Sequence, residues 1–406
     1  MQCGLLGRKI GYSYSPMIQG MLASYRYDLF PTEPEELDGF LRGECWDGLN
    51  VTIPYKREVV RYCAELSETA AKLGSVNTLV RRADGTIFGA NTDYDGFRYQ
   101  VEQSGIGVVG KKALVLGSGG ASVTVCAVLR DLGAASVTVI SRSGPDNYEN
   151  LERHADAQIV ANTTPLGTYP NTGAAAVDLR LFPRCEGVFD IVYNPARTAL
   201  LMQAEQLGIP RAGGLRMLVA QARRSAELFT GTTIPDARLS EIERSVRARL
   251  ENIVLIGMPG CGKSTVAEKL GARLGREVIE SDEWIAKQAG KSVPEIILQD
   301  GEVEFRRLET EALRELGKRS GIILSTGGGC VTRSENYPLL HQNGTIFWLL
   351  RSPWKLPREG RPLSQVESAE AMYARREPMY RRFADVKVDN EGAIERTVEA
   401  IARRFG

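Results

Sequence analysis

Short apolar runs alternate with longer amphipathic stretches along most of the chain. The runs at 3–6, 48–53, 78–81 and 112–116 have the length of buried strands, and the stretches between them have helical spacing. Such alternation is typical of α/β proteins with parallel sheets. No internal repeat and no low-complexity tract interrupts it. The pattern therefore predicts an α/β fold in which helices connect parallel strands.

The same pattern divides the chain into three blocks. Residues 1–98 carry strand-like runs with uncharged polar residues at their ends, and residues 99–235 begin with a strand, a glycine turn and a helix. Another strand, glycine turn and helix begin the third block, 249–406. Residues 235–250 have the pattern of a charged amphipathic helix, and we expect helices near 214–248 to complete the first block. A chain of 406 residues is long enough for two or three domains.

The amino-acid composition limits which kinds of molecule the protein is expected to bind. The 51 basic and 50 acidic residues leave a formal charge of +1, so we predict small-molecule substrates and no nucleic-acid or membrane partner. The first residues lack an apolar signal core, and no long apolar span follows, which favours a cytoplasmic protein. The seven cysteines do not have metal-ligand spacing. Because the chain holds two histidines, Lys, Asp and Glu must carry most proton transfers in any active site.

The third block begins with the pattern of a nucleoside triphosphate site. An apolar run at 252–256 leads directly into a glycine loop and then a helix, which is the context in which such a loop binds phosphate. Glycines let backbone N–H groups turn towards phosphate oxygens, a lysine meets the β- and γ-phosphates, and a serine hydroxyl binds Mg²⁺. The predicted nucleotide-binding residues are Gly257, Gly260, Cys261, Gly262, Lys263, Ser264 and Thr265. The loop alone does not identify the phosphate acceptor.

A second glycine turn, in the middle block, predicts a dinucleotide site. Its residues Gly117, Gly119, Gly120 and Ala121 lie between a strand and a helix, where a pyrophosphate meets the helix N-terminus. The next strand ends in Ser141, Arg142 and Ser143 instead of an acidic residue. Arg142 can pair with a 2′-phosphate, which favours NADP(H) over NAD(H). The alternative is that Arg142 is a solvated surface residue.

Three polar clusters stand out in the first block, at 11–16, at 48–56, and at 75–78 together with 89–96. They contribute hydroxyls, amides, a lysine and a carboxylate, which suits a small carboxylated polyol. Each cluster alone is also what ordinary turns contain.

These clusters and the dinucleotide turn together resemble shikimate dehydrogenase over residues 1–245. The resemblance rests on Asn50–Lys56, Val76–Thr78, Asn91–Asp93, Asn162–Gly167 and Met217–Gln221. It implies that Lys56 and Asp93 are the catalytic pair and that NADP also contacts Thr163. The substrate ligands that it implies are Ser13, Ser15, Asn50, Thr52, Lys56, Asn77, Asp93 and Gln221.

The chain departs from this family at two places. The first block is shorter than usual before Gly48, and 144–146 replaces a basic residue that often follows the Arg142 position. The second departure bears on the strength of the NADP preference. For Lys56 the alternative is a surface lysine after a proline turn.

Residues 250–406 resemble shikimate kinase. The motifs are 280–282, 301–306, 325–329, 361–363 and 375–380, and no guanine-reading motif accompanies the phosphate loop. The resemblance implies that shikimate is bound by Asp282, Arg306, Gly327, Gly328, Gly329 and Arg376. It also implies that Asp282 accepts the proton of the attacking hydroxyl, that Arg361 lies in a lid over the nucleotide, and that Glu280 acts on Mg²⁺ through water.

Taken together, the sequence predicts a substrate domain and a Rossmann-type dinucleotide domain followed by a kinase domain with a phosphate loop. The implied function is bifunctional, with NADPH-dependent reduction of 3-dehydroshikimate and MgATP-dependent phosphorylation of shikimate. Two alternatives stay open at this stage. The first half could act on quinate or another cyclitol acid, or one half could be a silent binding or regulatory module. The oligomeric state is left open.

Overall fold

The computed structural model describes residues 1–11, 13–356 and 368–405. The chain falls into two compact units. The first comprises Met1–Thr168, Ala174–Tyr193 and Leu200–Ser245, and the second comprises Tyr169–Gly173, Asn194–Ala199 and Val246–Gly406. The second unit therefore includes two short segments from the predicted middle block. None of the described helices is both long enough and apolar enough to cross a membrane.

The first sheet of the first unit is mixed. Its strands are β1 (Gln2–Gly7), β2 (Arg26–Pro31), β3 (Gly48–Val51), β4 (Glu65–Leu66), β5 (Thr78–Arg81) and β6 (Ile87–Ala90). Their order is β2-β1-β3-β5-β6-β4. The accompanying helices are α1 (Ser15–Leu22), α2 (Leu37–Arg42), α3 (Glu68–Leu73) and α4 (Thr92–Glu102).

Strand β5 departs from the expected parallel arrangement, because it runs antiparallel to both β3 and β6. The reason is the short connection to β6, in which Arg82 N–H donates to the carbonyl of Thr86 at 2.8 Å and Gly85 has a φ of +83°. A connection this short can join only antiparallel strands. Strand β3 also ends at Val51, before the predicted end at 53, because the chain then turns and Tyr55 N–H donates to the carbonyl of Thr52 at 3.0 Å.

The second sheet of the first unit is parallel throughout. Its strands are β7 (Lys112–Leu116), β8 (Ser136–Ile140), β9 (Ile159–Asn162), β10 (Gly187–Asp190) and β11 (Arg211–Ala212), in the order β11-β10-β9-β7-β8. The helices that follow its strands are α5 (Gly120–Asp131), α6 (Ala199–Gln206) and α7 (Leu215–Thr230), of which α7 packs against α1, α4 and β5. Along β7, Ala113 and Val115 enter one apolar core while Leu114 and Leu116 enter another, as expected for a sheet covered on both faces.

The sheet of the second unit is also parallel. Its strands are β12 (Asn252–Ile256), β13 (Val278–Glu280), β14 (Ile323–Ser325), β15 (Gly344–Leu350) and β16 (Val386–Asp389), in the order β13-β14-β12-β15-β16. The helices from the predicted joining helix onwards are α8 (Asp236–Leu250), α9 (Lys263–Leu274), α10 (Ser281–Ala289), α11 (Val293–Gln299), α12 (Glu302–Leu316), α13 (Asn336–His341), α14 (Ala369–Phe383) and α15 (Ile394–Ala402). The fully buried strand β12 occupies the centre, so its carboxyl end delivers the phosphate loop to the middle of the sheet edge.

Helices α4 and α7 pack closely in the first unit at Gly96. A Cβ added to Gly96 would lie 2.7 Å from the carbonyl oxygen of Met217 and 2.8 Å from Cβ of Gln221. The absence of a side chain at Gly96 therefore permits the close approach of the two helices. This approach holds α7, which carries Gln221, against α4, which carries Asp93.

We predict that Gly96→Ala lowers the free energy of unfolding of the first unit by about 1–3 kcal/mol, because overpacking exceeds the gain in helix propensity. Gly20→Ala in α1 is a matched control, since a Cβ there would meet nothing within 4 Å. Gly20→Ala should be neutral or stabilising by up to about 1 kcal/mol. Denaturant unfolding of both variants measures the difference, and equal effects would contradict the packing argument.

Candidate active sites

Lys56 and Asp93 form an ion pair in the first unit. Lys56 follows the turn after β3, and Asp93 lies in the first turn of α4. Lys56 Nζ donates to Asp93 Oδ2 at 2.5 Å, and the two side chains are 23% and 14% exposed. Because both are partly exposed, a bound molecule can reach an ammonium proton donor and a carboxylate acceptor at the same place.

The position of Asp93 depends on the cap of α4. Asn91 Oδ1 accepts from Tyr94 N–H at 3.4 Å, and Asn91 Nδ2 donates to the carbonyl of Ser75 at 2.9 Å. The cap fixes where the helix begins, so Asp93 lies near the positive end of the helix dipole, which favours a carboxylate.

A buried network of amides and hydroxyls begins at Thr92. Its N–H donates to Asn77 Oδ1 at 2.7 Å, and its hydroxyl lies 3.1 Å from Ser225 Oγ and 3.5 Å from Gln221 Oε1. Thr78 Oγ1 lies 3.1 Å from Ser225 Oγ and closes the cluster. Ser225 was not among the predicted residues, although it lies one helical turn after Gln221 on α7.

Asn50 belongs to this network, and its side chain is saturated by protein groups. Its Oδ1 accepts from Tyr27 Oη at 2.8 Å and from Gln19 Nε2 at 3.1 Å. Its Nδ2 donates to Ser225 Oγ at 2.7 Å and to Thr78 Oγ1 at 3.2 Å. An amide has two donor hydrogens and two acceptor lone pairs, and protein groups occupy all four here. Asn50 thus supports this network, and its direct contact with the substrate stays a prediction.

Ser13 and Ser15 lie at the start of α1. Ser13 Oγ donates to Ser15 Oγ at 3.0 Å and accepts from the backbone N–H of Ser15 at 3.1 Å. Tyr193 is a neighbour that the sequence analysis missed, and its ring centroid lies 5.2 Å from that of Tyr14. Burial raises the pKa of Tyr193, and its hydrogen bond with Ser13 opposes the rise. The missed signal was the Tyr-Asn-Pro sequence that begins three residues after β10.

Thr52 and Gln221 each donate a hydrogen bond to a backbone carbonyl. Thr52 N–H donates to the carbonyl of Leu6 at 2.9 Å, and Gln221 Nε2 donates to the carbonyl of Leu218 at 2.9 Å. Gly7 lies so close to Thr52 that an added Cβ would be 2.5 Å from its methyl group.

The predicted dinucleotide turn lies between β7 and α5. Gly117 has a φ of +99°, and an added Cβ would lie 2.9 Å from Thr164 Cγ2 and 3.1 Å from Thr163 Oγ1. Cβ atoms added at Gly119 and Gly120 would meet nothing, so the N-terminus of α5, where Ala121 also lies, opens onto unfilled space. This cradle fits a pyrophosphate at a helix N-terminus.

Ser141, Arg142 and Ser143 follow β8 directly, as predicted. Arg142 and Ser143 are exposed. The charge of Arg142 opposes the rise that burial causes in the pKa of Tyr148. Within the described part of the chain Arg142 has no ion-pair partner, so its guanidinium is available to a phosphate.

The phosphate loop of the second unit lies between β12 and α9. Its glycines have positive φ values of 150° at Gly257, 80° at Gly260 and 96° at Gly262. Lys263 Nζ donates to the carbonyls of Gly257 at 3.0 Å and Met258 at 3.1 Å. The ammonium is therefore held over the loop, and the side chains of Ser264 and Thr265 are exposed at the start of the helix.

Asn390, directly after β16, holds this loop and was not predicted. Its Nδ2 donates to the carbonyl of Cys261 at 2.6 Å, and its Oδ1 accepts from Thr397 Oγ1 at 2.8 Å. Its position after a strand end, in a segment without a recognised motif, gave no sequence signal.

Glu280 ends β13 beside the phosphate loop. Burial raises the pKa of its carboxyl, and the nearby hydroxyls of Ser325 and Ser264 oppose the rise. Its Oε1 is buried and has no hydrogen-bond partner among the described residues. An unpaired carboxylate oxygen close to an exposed serine hydroxyl fits the oxygen ligands that Mg²⁺ prefers. No group of three or more His, Cys, Asp or Glu residues in the described chain could hold a metal by itself.

Asp282 lies in the first turn of α10. Burial raises the pKa of Asp282, and the charges of Lys263 and Arg306 oppose the rise. Ser281 Oγ donates to Asp282 Oδ1 at 3.4 Å. Asp282 is thus a partly desolvated carboxylate that lies within electrostatic reach of the phosphate-loop lysine.

The predicted glycine turn at 327–329 lies against these charged groups. A Cβ added to Gly327 would lie 2.8 Å from Asp282 Oδ1, and one added to Gly329 would lie 2.1 Å from a guanidinium nitrogen of Arg306. At Gly328 it would lie 2.7 Å from Pro259 of the phosphate loop. A side chain at any of these three positions would therefore displace a neighbouring group.

Arg306 is held by a carboxylate that the sequence analysis missed. Its Nη1 donates to Glu309 Oε2 at 2.8 Å, and Glu309 is fully buried. Burial raises the pKa of Glu309 to about 7, although the charge of Arg306 opposes the rise. Glu309 could have been found from its position three residues after Arg306, because side chains at this spacing are neighbours on a helix.

Arg376 approaches the same turn from α14. It is 3% exposed, and its Nη1 donates to the carbonyl of Gly328 at 3.1 Å. Tyr380, also missed, donates its hydroxyl to that carbonyl from one turn further along the helix. Arg361 lies outside the described residues.

Comparison with known proteins finds a different family in each part of the chain. Residues 5–79 match the family model "Shikimate dehydrogenase substrate binding domain" and residues 259–405 match "Shikimate kinase". An NADP(+) shikimate dehydrogenase of Clostridium perfringens is 32% identical over 267 residues, which are 61% of this chain and 98% of that protein.

Solved structures lead to the same family. A chorismate mutase/shikimate 5-dehydrogenase fusion protein from Clostridium acetobutylicum is 34% identical with a TM-score of 0.57, covering 60% of this chain and 96% of that one. The shikimate 5-dehydrogenase of Thermus thermophilus, in complex with NADP(H) and shikimate, is 30% identical with a TM-score of 0.55, covering 60% and 98%. The chain belongs to the shikimate dehydrogenase family and carries a shikimate kinase domain fused to its C-terminal side.

Proposed function

We propose that the chain catalyses two consecutive reactions of the shikimate pathway. The first unit reduces 3-dehydroshikimate to shikimate with NADPH, and the second phosphorylates shikimate with MgATP to shikimate 3-phosphate. The observation that carries this proposal is that each unit brings a Lys and an Asp together: Lys56 forms an ion pair with Asp93, and the charge of Lys263 acts on Asp282. We assign the substrate domain to 1–98, completed by the helices near 214–248, the NADP domain to 99–235 and the kinase domain to 249–406.

In the first reaction, Lys56 is the proton donor. NADPH, when bound, supplies the hydride that reduces the ring ketone. As negative charge develops on the ketone oxygen, Lys56 Nζ gives up a proton to it. Asp93, bonded to Nζ at 2.5 Å, orients the ammonium and accepts a hydrogen bond from a ring hydroxyl.

The remaining groups of the first pocket position the substrate. Hydroxyls of Ser13 and Ser15 bind its carboxylate, and Thr52, Asn77 and Gln221 bind its ring hydroxyls. The cradle Gly117, Gly119, Gly120 and Ala121, with Thr163, holds the pyrophosphate, and Ser141, Arg142 and Ser143 bind the adenosine phosphate.

In the second reaction, Asp282 accepts the proton of the attacking shikimate hydroxyl. MgATP, when bound, supplies the phosphoryl group. Burial raises the pKa of Asp282, which makes its carboxylate a stronger base. Lys263 faces the phosphates, and Glu280 acts on Mg²⁺ through water.

Shikimate is held in the second unit by its carboxylate. The planar guanidinium groups of Arg306 and Arg376 donate hydrogen bonds to this carboxylate. Glu309 keeps the guanidinium of Arg306 in place. Arg361 is proposed to act from the lid on the transferring phosphoryl group.

Separate assays of the two half-reactions test this proposal. The intact chain should oxidise NADPH when given 3-dehydroshikimate, and should do so much more slowly with 3-dehydroquinate. It should form ADP when given shikimate and MgATP. Faster turnover of 3-dehydroquinate, or the absence of either half-reaction, would contradict the proposal.

We predict that Lys56→Ala lowers the turnover of ketone reduction by about 10²- to 10⁴-fold, the usual range for loss of a general acid. Lys72→Ala is a matched control, because Lys72 also pairs with an aspartate, Asp131 at 2.9 Å, but at an exposed place. The control should keep its turnover. A loss of less than tenfold in Lys56→Ala would remove Lys56 from catalysis.

We predict that Asp282→Asn lowers phosphoryl transfer by about 10²-fold or more, because the amide cannot accept the hydroxyl proton. Ketone reduction should continue at its normal rate, since the two sites lie in different folded units. Asp300→Asn, which removes an exposed carboxylate paired with Lys291, is the control and should leave both rates unchanged. Retained kinase activity in Asp282→Asn would overturn the base assignment.

A further inference from the structure

The loop after β8 brings the backbone of an acidic residue, Asp146, back to the end of that strand. In dinucleotide-binding folds an acidic group at this place selects NAD(H), because it binds the ribose hydroxyls and repels a 2′-phosphate. Ser141 occupies the strand end here, but Ser141 N–H donates to the backbone carbonyl of Asp146 at 3.2 Å. Ser141 Oγ also accepts from Gly144 N–H at 2.9 Å, which closes the loop. The backbone of Asp146 therefore lies beside Ser141, although Asp146 follows five residues later.

The carboxylate of Asp146 is bound by His154. His154 Nε2 donates to Asp146 Oδ1 at 2.9 Å, and the two side chains are 19% and 37% exposed. His154 ends the short 3-10 helix Leu151–His154 and is fixed there by Ala157 N–H, which donates to its carbonyl at 2.9 Å. Across the described residues, the side chain of Asp146 has no other hydrogen-bond partner.

Arg142 and Asp146 are thus opposite charges on one short loop. Arg142 is exposed and attracts a phosphate, whereas an unpaired Asp146 would repel it. Tyr148, two residues after Asp146, is close enough to Arg142 for the arginine charge to affect its pKa, which burial raises. Whether this loop attracts or repels a 2′-phosphate then depends on which group binds the carboxylate of Asp146.

We propose that His154 is a specificity-determining residue for the nicotinamide cofactor. By binding Asp146 it keeps that carboxylate from the adenosine 2′-phosphate and leaves Arg142 to bind it. This inference rests on the proposed NADPH-dependent reduction and adds residues outside the glycine turn and the strand end. His154 is a positioning residue, because it acts through Asp146.

Cofactor binding to the intact chain tests the proposal without relying on turnover. The dissociation constants of NADPH and NADH are measured from the fluorescence of the reduced nicotinamide. His154→Ala should weaken NADPH by about three- to tenfold, the scale of a partly screened charge interaction, and should change NADH by less than about twofold. His154→Gln keeps a donor for Asp146 and should retain most of the NADPH affinity.

A double mutant tests the pairing of Asp146 with His154. In Asp146→Asn the carboxylate charge is gone, so adding His154→Ala should no longer weaken NADPH selectively. Glu149→Gln removes an exposed acidic group of the same loop and should leave the NADPH to NADH ratio unchanged.

Two results would overturn the proposal: equal effects of His154→Ala on both cofactors, or an undiminished effect in the Asp146→Asn background. The outcome is separate from that of the proposed function. A wild-type chain that binds NADPH but does not reduce 3-dehydroshikimate would contradict the proposed function alone. Binding of neither nucleotide would contradict both.

Discussion

Both predicted nucleotide sites depend on one constraint, the turn that a chain must make between a buried parallel strand and the helix that follows. The turn needs backbone with positive φ and leaves the first N–H groups of the helix without partners. In the first unit Gly117 makes this turn after β7, and in the second Gly257, Gly260 and Gly262 make it after β12. An anion satisfies the free N–H groups, so the fold generates a phosphate site wherever glycines allow the turn.

The two units differ in whether the buried polar atoms of their proposed substrate sites have hydrogen-bond partners within the protein. In the second unit, several side-chain atoms that are buried without a protein partner in the described chain lie at the site, among them Glu280 Oε1, Glu309 Oε1, Arg306 Nε and Arg376 Nε. Such atoms are costly unless a ligand or water satisfies them, which is consistent with a site built for a charged, hydroxylated substrate. In the first unit the buried amides and hydroxyls around Thr92 and Ser225 bond mainly to one another, and Lys56 and Asp93, which are partly exposed, form a separate ion pair.

The hydrophobic pattern predicted individual strands and helices. It did not predict the residues that hold the site residues in place. The strand at 78–81 and the helix at 235–250 agree with the structure within a residue or two, whereas the antiparallel direction of β5 depends on a turn at Gly85 that apolar periodicity does not register. The missed residues act through other side chains or backbone carbonyls, so their importance appears only when distant segments meet; they include Ser225, Glu309 and Asn390. The four protein partners of the Asn50 amide also come from distant segments, and the sequence pattern did not predict them.

The central claim is that one chain carries 3-dehydroshikimate through both reactions. The most direct measurement supplies the intact chain with 3-dehydroshikimate, NADPH and MgATP together and follows the products by mass spectrometry. The account predicts shikimate 3-phosphate, with one NADPH oxidised and one ADP formed for each molecule of product. Accumulation of shikimate without phosphorylation, or the absence of any product, would contradict it.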